Sequence, residues 1–524
     1  RQGLGTRQKV WYDIPAMATF VIPTCDRPET LRRSLRSVLS ALIPESGIRR
    51  VLVIDDARTE AGADAARRVV EEVSGNEGVR PLGKGSDLGV GLAPSDEAGT
   101  VPVGYIGRRE KEILVQELAG ACNGGVPESV IRFALLGDET IAVDRGSGGS
   151  RNTALLLSAG DAVVSLDDDA RFEFLSLRGT SLPSRTNPGK PIETVSQRSF
   201  SEEYVQGPVE SLRSIERLAI PVDLDVAGWI VRTLGGPGVG TPGNAPRVRA
   251  VMTGIAGNRW YQRPEPAFFS RGKLREQVMR REGRYRRALT SGYATMQAQR
   301  YVATDAPFFV TCCSGVDARD FLPPFPPDLR PDDTAFMSLL RRLDPGGMTG
   351  HLPVMARHDL GPQRPDPIRD PCEEKWSLSS VVTGIMSEVV SRGVPLRGDA
   401  GVSAVGRRLA EIAALPTPEW LDYIYTVWTR TVASAAAGLE HLLQRNHESP
   451  SFWEKDVHEF VARLRVCPPP ASASGSTGSE ETERLQRYVG ALGELLEWWP
   501  ALWQAARERN GIADLSLNPA GASR

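Results

Sequence analysis

The feature that most constrains this chain is a short apolar run, Ala162-Val163-Val164-Ser165-Leu166, that ends in three carboxylates, Asp167-Asp168-Asp169. A short run of this kind, bounded by polar residues, reads as a buried strand. Like charges packed this tightly repel one another, and leaving them unpaired at a strand end is costly. A divalent cation relieves that repulsion, because hard cations take carboxylate oxygens and a bound metal can clamp phosphate. In an extended segment alternate residues point the same way, so Asp167 and Asp169 are expected to face one ion together. For the triplet taken alone, a solvated acidic loop is the plain alternative.

The same punctuation recurs upstream. Phe20-Val21-Ile22 reads as a strand ended by Pro23, and Thr24-Cys25-Asp26-Arg27 turns the chain. Pro28-Glu29 opens a helix to Ala41 with Leu31, Leu35, Val38 and Leu42 on its apolar face, Pro being tolerated in a first turn. Val51-Leu52-Val53-Ile54 is a second buried strand, and it too ends in carboxylates, Asp55-Asp56. Gly148-Gly149-Ser150-Arg151-Asn152-Thr153-Ala154-Leu155 then leads into the acidic triplet. Strands alternating with helices, with polar residues at strand carboxyl ends, describe an open parallel α/β sheet that binds its ligand at that edge.

On these residues the chain resembles family 2 glycosyltransferases of the GT-A fold. The likeness lies in the strand-turn-helix from Pro23 to Leu31, the strand ending in Asp55-Asp56, the Arg151-Asn152 segment and the DXD motif at Asp167 to Asp169. Each is weak alone; four in this order are strong. The likeness is clearest over residues 18–58, 146–172 and 310–360, and it does not cover the stretch from the DXD motif to about residue 305 or the last 150 or so residues. It implies a Rossmann-like, mostly parallel sheet flanked by helices. It also implies a donor site formed by Pro23, Thr24, Asp26, Arg27, Asp55, Asp56, Arg151, Asp167 and Asp168, and a metal, Mn2+ or Mg2+, on Asp167 and Asp169.

The later part of the resemblance supplies the chemistry. Phe309 to Leu322 is similar to the family's acceptor-side segment, where a glycine, here Gly315, precedes a short helix. Arg330-Pro331-Asp332-Asp333 follows; family members usually carry Glu-Asp, so Asp332 is a small departure. The resemblance makes Asp333 the catalytic base. The need is physical: an acceptor hydroxyl must lose its proton as it attacks, and a nearby carboxylate can take it. Helix capping by Asp332, with a dipole contact from Asp333, is the alternative use of the pair. His351 and His358 flank the strand-like Leu352 to Arg357, and His358, which closes the run, fits the family's third metal ligand or diphosphate contact better. Imidazole beside carboxylates suits manganese better than calcium. His441, His447 and His458 read as ordinary surface residues.

Composition bounds the remainder. A chain of 524 residues has ample length for a large core and two or three domains. A formal net charge of −2 gives no general case for nucleic-acid binding. The six cysteines show no CxxC spacing, so a structural zinc site is not expected and free thiols in a reducing cytosol are the simpler reading. Cys312-Cys313 reads as a packing pair. No apolar stretch approaches the ~20 residues needed to span a bilayer, and no signal peptide is visible. Together these suggest a soluble, cytoplasmic protein without a transmembrane segment.

The expected organisation is a lead-in at 1–17, a nucleotide-sugar half at 18–172 with an insertion over 60–130, an acceptor half at 173–370, and a helical carboxyl-terminal module at 371–524. Within the insertion, Ala61–Val73 and Glu110–Leu118 read as helices and Ser74–Val103 as a long loop, either a lid or a plain insertion. Ile131 to Leu136 reads as the third strand. The glycine-rich 235–243 segment lacks the Gly-Lys-Ser/Thr ending of a phosphate loop. Arg271 to Arg287 is strongly basic, a face for an anionic ligand or simply a solvated helix. Helices are expected over Trp376–Arg392, Gly401–Leu415, Pro418–Gln444, Ser451–Val466 and Glu480–Asn510, with a flexible linker at 468–479 and tryptophans in the helical core. Homodimerisation and acceptor recognition are the two uses this reading leaves open for the module.

The resemblance therefore implies a metal-dependent inverting glycosyltransferase that moves a sugar from a nucleotide-diphosphate donor, a UDP-sugar as first expectation, to an acceptor hydroxyl. Two alternatives stand beside it. A sugar nucleotidyltransferase shares the fold class but usually opens with a glycine-rich loop, which Pro23 to Arg27 is not. A catalytically inactive scaffold binding a partner protein would have little use for intact acidic motifs.

Overall fold

The computed structural model describes residues 17–76, 101–143, 146–182, 192–196, 200, 203–236, 247–258, 268–330, 332–358, 378–392, 398–446, 448–467 and 476–517. The fold begins with β1 (Ala18–Thr24), α1 (Pro28–Ala41), β2 (Ile48–Asp55), α2 (Glu60–Asn76), β3 (Val103–Ile106), α3 (Arg108–Ala121), α4 (Glu128–Leu136), α5 (Gly148–Leu157) and β4 (Ala162–Leu166). β1 pairs in parallel with both β2 and β4, and β2 pairs in parallel with β3. The chain thus reverses its direction of sheet growth at β1, and the crevice between β1 and β4 is where an open α/β sheet binds ligand. The apolar runs foreseen for these strands are buried because helices cover both faces. Phe20, Ile22, Val51, Val53, Ile54 and Val164 are fully enclosed, as are Leu31, Leu35 and Val38 of α1.

Past β4 the sheet becomes mixed. The order β3-β2-β1-β4-β12-β9-β13-β11-β6 brings in β6 (Glu193–Val195), β9 (Val248–Asn258), β11 (Val302–Thr304), β12 (Cys313–Asp317) and β13 (Met348–His358). β5 (Ala170–Leu177), β7 (Tyr204–Val209), β8 (Ala219–Val222) and β10 (Tyr293–Ala298) branch from this path. The α/β class expected from the sequence is therefore observed: a sheet with a parallel core, flanked by helices, followed by carboxyl-terminal helices.

Several local expectations are corrected. Ile131 to Leu136 is not a strand but the end of helix α4, introduced by Pro127 and stopped by Gly137 at φ 67°. A short, mostly apolar run is compatible with either period; here Val130, Ile131, Phe133, Ala134 and Leu135 are buried within a helix packed on α3 and α5, and Arg132 turns outward to Glu112. The third strand is Val103–Ile106, at the end of the stretch read as loop; 77–100 lie outside the described residues. Gly315 does not precede a helix. It sits in the middle of β12, where a Cβ would come within 2.4 Å of Ile230 and 3.1 Å of the Val163 carbonyl. Pro23 does not end β1 either, since its ring replaces an N–H but the register continues through Thr24 opposite Asp55. Free thiols are found at Cys25, Cys122, Cys312 and Cys313, but Cys467 is disulfide-bonded.

The carboxyl-terminal helices cover Leu378–Arg392, Gly398–Ala413, Thr417–Arg445, Ser451–Arg465 and Ser476–Leu517. Most of the 468–479 linker lies outside the described residues, and its last four residues belong to the final helix. That helix lies along α3, α4 and α5. Trp499 Nε1 donates to the Leu322 carbonyl at 2.8 Å, Asn510 donates to Leu156 O at 3.0 Å, and the Tyr488 hydroxyl donates to Pro327 O. Trp420, Trp453, Trp499 and Trp503 are buried, whereas Trp498 is partly exposed. The basic 271–287 stretch forms helices Gly272–Met279 and Glu282–Thr290. Lys273, Arg280, Arg281, Arg286 and Arg287 are exposed to solvent, and part of the stretch is also paired or packed. Arg284 and Arg287 pair with Glu210, Arg286 pairs with Asp456, and Arg275 lies 4.6 Å over the Trp453 ring.

Candidate active site

The carboxyl ends of β1, β2 and β4 place the predicted donor residues side by side. β4 ends at Leu166, and the acidic triplet does not stay extended: the Ala170 N–H donates to Asp167 O at 3.0 Å, closing a tight turn into β5. The alternation argument for the triplet therefore fails, and the three carboxylates go separate ways. Asp168 turns inward, where Thr24 Oγ1 donates to it at 2.7 Å and Ser34 donates to its carbonyl at 2.6 Å. Asp169 meets His358 Nε2 at 3.1 Å and Arg27 Nη1 at 3.0 Å. Asp167 takes Arg151 Nη2 at 2.8 Å, while its own N–H is held by Cys312 O at 2.9 Å. The repulsion that seemed to demand a cation is thus met in part by two arginines.

These environments set three different proton affinities. Burial, then the Asp169 charge, push Asp168 up to about 7 against the opposing pull of Thr24 and Arg27. Burial would also raise Asp169, but His358 and Arg27 outweigh it and hold that carboxyl below its usual range. Burial alone would lower His358; the contact with Asp169 and the Asn258 carbonyl raise it instead.

Asp55 and Asp56 divide in the same way. Asp55 is 1% exposed and accepts from Tyr105 Oη at 2.7 Å and Ala57 N at 2.9 Å. Burial lifts it to about 6. Asp56 faces the cleft edge, bound by Ser150 Oγ at 2.6 Å and by the Lys111 ammonium. Lys111 is a site residue that the motif reading missed. A signal was present: Lys111 lies in one stripe with Leu114, Val115 and Leu118, at i, i+3, i+4 and i+7, on the face that α3 buries. A lysine in an apolar stripe needs a buried acceptor. Asp26 is exposed, at φ 53°, with Arg58 3.9 Å away.

Arg151 joins the two halves of the site. It is 7% exposed, and besides Asp167 it reaches Asp332 at 3.4 Å and Ser147 Oγ at 2.9 Å, with its guanidinium 5.7 Å from the Phe325 ring centre. Its neighbour Asn152 is a structural latch, donating to Ala134 O at 3.0 Å and Phe325 O at 2.8 Å and accepting from Phe325 N at 2.8 Å. Asp332 is buried and committed to Arg151 and Ser147. Asp333, half-buried at the start of helix Asp332–Leu343, accepts from Thr334, at 2.7 Å to the N–H. Burial, then the charge of Asp332, raise Asp333. Asp317 and Asp320 are placed elsewhere. β12 runs antiparallel to β4, so Asp317 stands opposite Ala162, at the far end of the strand from the triplet. It pairs with Arg247 and Arg319, and Asp320 pairs with Arg247.

Among the described residues, no group of three or more His, Cys, Asp or Glu is arranged to hold a metal ion. The donor chemistry nonetheless fits one. His358 Nδ1 lies 2.9 Å from Asn258 O, which fixes the proton there and turns Nε2 toward Asp169, the second-shell arrangement typical of a ligating histidine. His351 does not share this place: its Nδ1 meets the Tyr204 hydroxyl at 2.7 Å inside the core.

Comparison with solved structures finds distant likenesses. One is the mannosyltransferase PcManGT from Pyrobaculum calidifontis in complex with GDP-Man and Mn2+, 14% identical over 86% of each chain, with a TM-score of 0.33. Another is TarS 1–349 from S. aureus, 10% identical over 90% of each chain, with a TM-score of 0.28. No family model and no curated protein matches the chain. Likeness at these scores carries no argument about chemistry, so function rests on the site. Among the described residues, no helix is long and apolar enough to cross a membrane.

Proposed function

We propose that the chain is a metal-dependent, inverting glycosyltransferase that uses a nucleotide-diphosphate sugar, with a UDP-sugar as the first donor to test. The observation that carries this is the Arg151 bridge. One buried guanidinium binds Asp167 at the end of β4 and Asp332 beside Asp333, so the acidic turn and the acidic helix start form one site at the carboxyl edge of the sheet. Asp55 or Asp56, with Thr24 to Asp26 at the end of β1, reads the nucleoside; Pro23 stands in β1 just before them, and Arg151 and Asp168 keep the wall in place. Asp169 and His358, whose side chains meet, would hold Mn2+ or Mg2+, which would supply neutralisation of the departing diphosphate; Asp167, expected as a further ligand, is instead taken by Arg151.

Asp333 acts on the acceptor. Its carboxylate takes the hydroxyl proton as the oxygen attacks the anomeric carbon. The new C–O bond forms as the bond to the diphosphate oxygen breaks, and the nucleoside diphosphate leaves with that electron pair. Attack opposite the leaving group inverts the centre. The raised proton affinity of Asp333 suits a base working near neutral pH.

Asp333→Asn tests the assignment. General-base catalysis is worth ~10²–10⁴-fold, so the single-turnover rate should fall by about that factor while the donor dissociation constant, read by calorimetry across UDP, GDP, dTDP and ADP with Mn2+, stays put. An asparagine caps a helix nearly as well as an aspartate. Near-normal turnover in this variant rejects Asp333 as the base.

A further inference from the structure

Both oxygens of Asp169 are in use. Oδ1 meets His358 Nε2 at 3.1 Å, on the buried side, where the histidine side chain is 8% exposed. Oδ2 meets Arg27 Nη1 at 3.0 Å, and the same nitrogen lies 3.4 Å from Asp168 Oδ1. Arg27 is the exposed member of this group, with 44% of its side chain open to solvent. It sits in the turn between Asp26, at φ 53°, and Pro28, which starts α1. A cation approaching Asp169 from solvent must therefore compete with this guanidinium. Arg151 is no such competitor, being enclosed and tied to Asp167, Asp332 and Ser147 together.

We propose that Arg27 is an exchangeable counter-cation. It neutralises Asp168 and Asp169 in the metal-free protein, yields Asp169 to the divalent cation, and then turns its planar fork to the donor diphosphate, a group arginine binds in bidentate fashion. This rests on the metal-dependent reading above. It makes an unusual demand: one substitution must tighten binding of the metal and loosen binding of the nucleotide.

The test uses Mn2+ alone, titrated into EDTA-stripped full-length protein and followed by electron paramagnetic resonance, and then UDP titrated calorimetrically at saturating Mn2+. An exposed ion pair is worth up to ~1 kcal/mol, so Arg27→Ala should bind Mn2+ about fivefold more tightly than wild type at low salt. It should bind UDP in the presence of Mn2+ about tenfold more weakly, as expected for losing a charge-assisted contact. Arg27→Lys keeps the charge and should lie close to wild type for Mn2+ alone. Mn2+ binding by wild type with no gain in Arg27→Ala overturns the exchange and leaves the metal site standing. An equal gain in Arg27→Lys overturns it too, because charge would not be the cause. If neither wild type nor Arg27→Ala binds Mn2+, the exchange falls together with the metal reading.

Discussion

Lys111 and Asp56 form an ion pair whose two ends are unequally enclosed, and that asymmetry predicts which end is the more costly to remove. The lysine side chain is 0% exposed, whereas Asp56 is 29% exposed. Ser150 stands between them, donating to Asp56 at 2.6 Å and within 3.3 Å of the ammonium. Breaking a fully buried pair by removing one partner costs about 3–5 kcal/mol, because a charge is left without compensation. An exposed pair is worth about 1 kcal/mol at most. Lys111→Met strands Asp56, which keeps the Ser150 hydroxyl and can draw water on its open side, and the apolar stem is replaced by a side chain of similar size. We expect a loss of about 2 kcal/mol, midway between those two limits. Asp56→Asn strands an ammonium that no water reaches, and should cost about 3 kcal/mol or more. The double variant removes both charges, so its cost should fall short of the sum by more than 1 kcal/mol.

Urea midpoints at unchanged m for the four proteins measure the cycle. The same four, titrated with nucleoside diphosphate, show whether Lys111 holds Asp56 for the nucleoside: affinity should drop in Lys111→Met although the lysine faces away from the cleft. Additive losses, or Lys111→Met costing more than Asp56→Asn, would refute the reasoning from burial.

Two further outcomes follow from buried groups away from the diphosphate site. Asp55 is raised to about 6 in the fold against ~4 in an unfolded chain; the folded protein therefore binds more protons between these values, and the stability Asp55 lends is present at low pH and lost as pH rises through about 6. The stability of wild type relative to Asp55→Asn should fall by about 2 kcal/mol from pH 4 to 6, and parallel urea profiles for the two would sink the idea. At the contact between the helix Gly398–Ala413 and the last helix, a Cβ on Gly406 would lie 2.5 Å from both Glu497 N and Gly493 O. Backbone cannot move aside cheaply, so Gly406→Ala should cost about 1–3 kcal/mol; an unchanged melting temperature would show that the two helices are not in such close contact.

How much of this was legible depended on whether one local signal sufficed. β1, α1, β2, α2 and β4 were readable because each carries an unmixed period and sharp punctuation: Pro28 opens α1, and carboxylates close β2 and β4. Ile131 to Leu136 was not, since five apolar residues around Arg132 fit a buried strand as well as a largely buried helix, and Pro127 and Gly137 argued for the helix. The conformation of the triplet was misjudged for another reason. Alternation holds only if the backbone stays extended, and a turn hydrogen bond from Ala170 decides otherwise. Long-range pairing lay beyond local pattern: nothing near Asp169 in sequence announces His358, 189 residues on, although the resemblance named both.

The role of Arg151 shows why such a site can be recognisable in parts yet unreadable as a whole. Its motif announced an arginine near the donor. What the fold adds is that the guanidinium serves two carboxylates from different halves of the chain, through Nη2 and Nε. A lysine, as a single point charge on a flexible stem, could satisfy one of them but could not fix the angle between them. Two carboxylates against one guanidinium leave the group net negative, and Asp332 is the one buried. The arginine lies 2.8 Å from Asp167 and 3.4 Å from Asp332, while Asp333, next in sequence and half-buried, has no ion pair among the described residues. Burial first, then the charge of Asp332, raise its proton affinity, against the opposing pull of Arg151. The same pairing that locks the architecture thus leaves Asp333 as the carboxylate of the pair free to accept a proton.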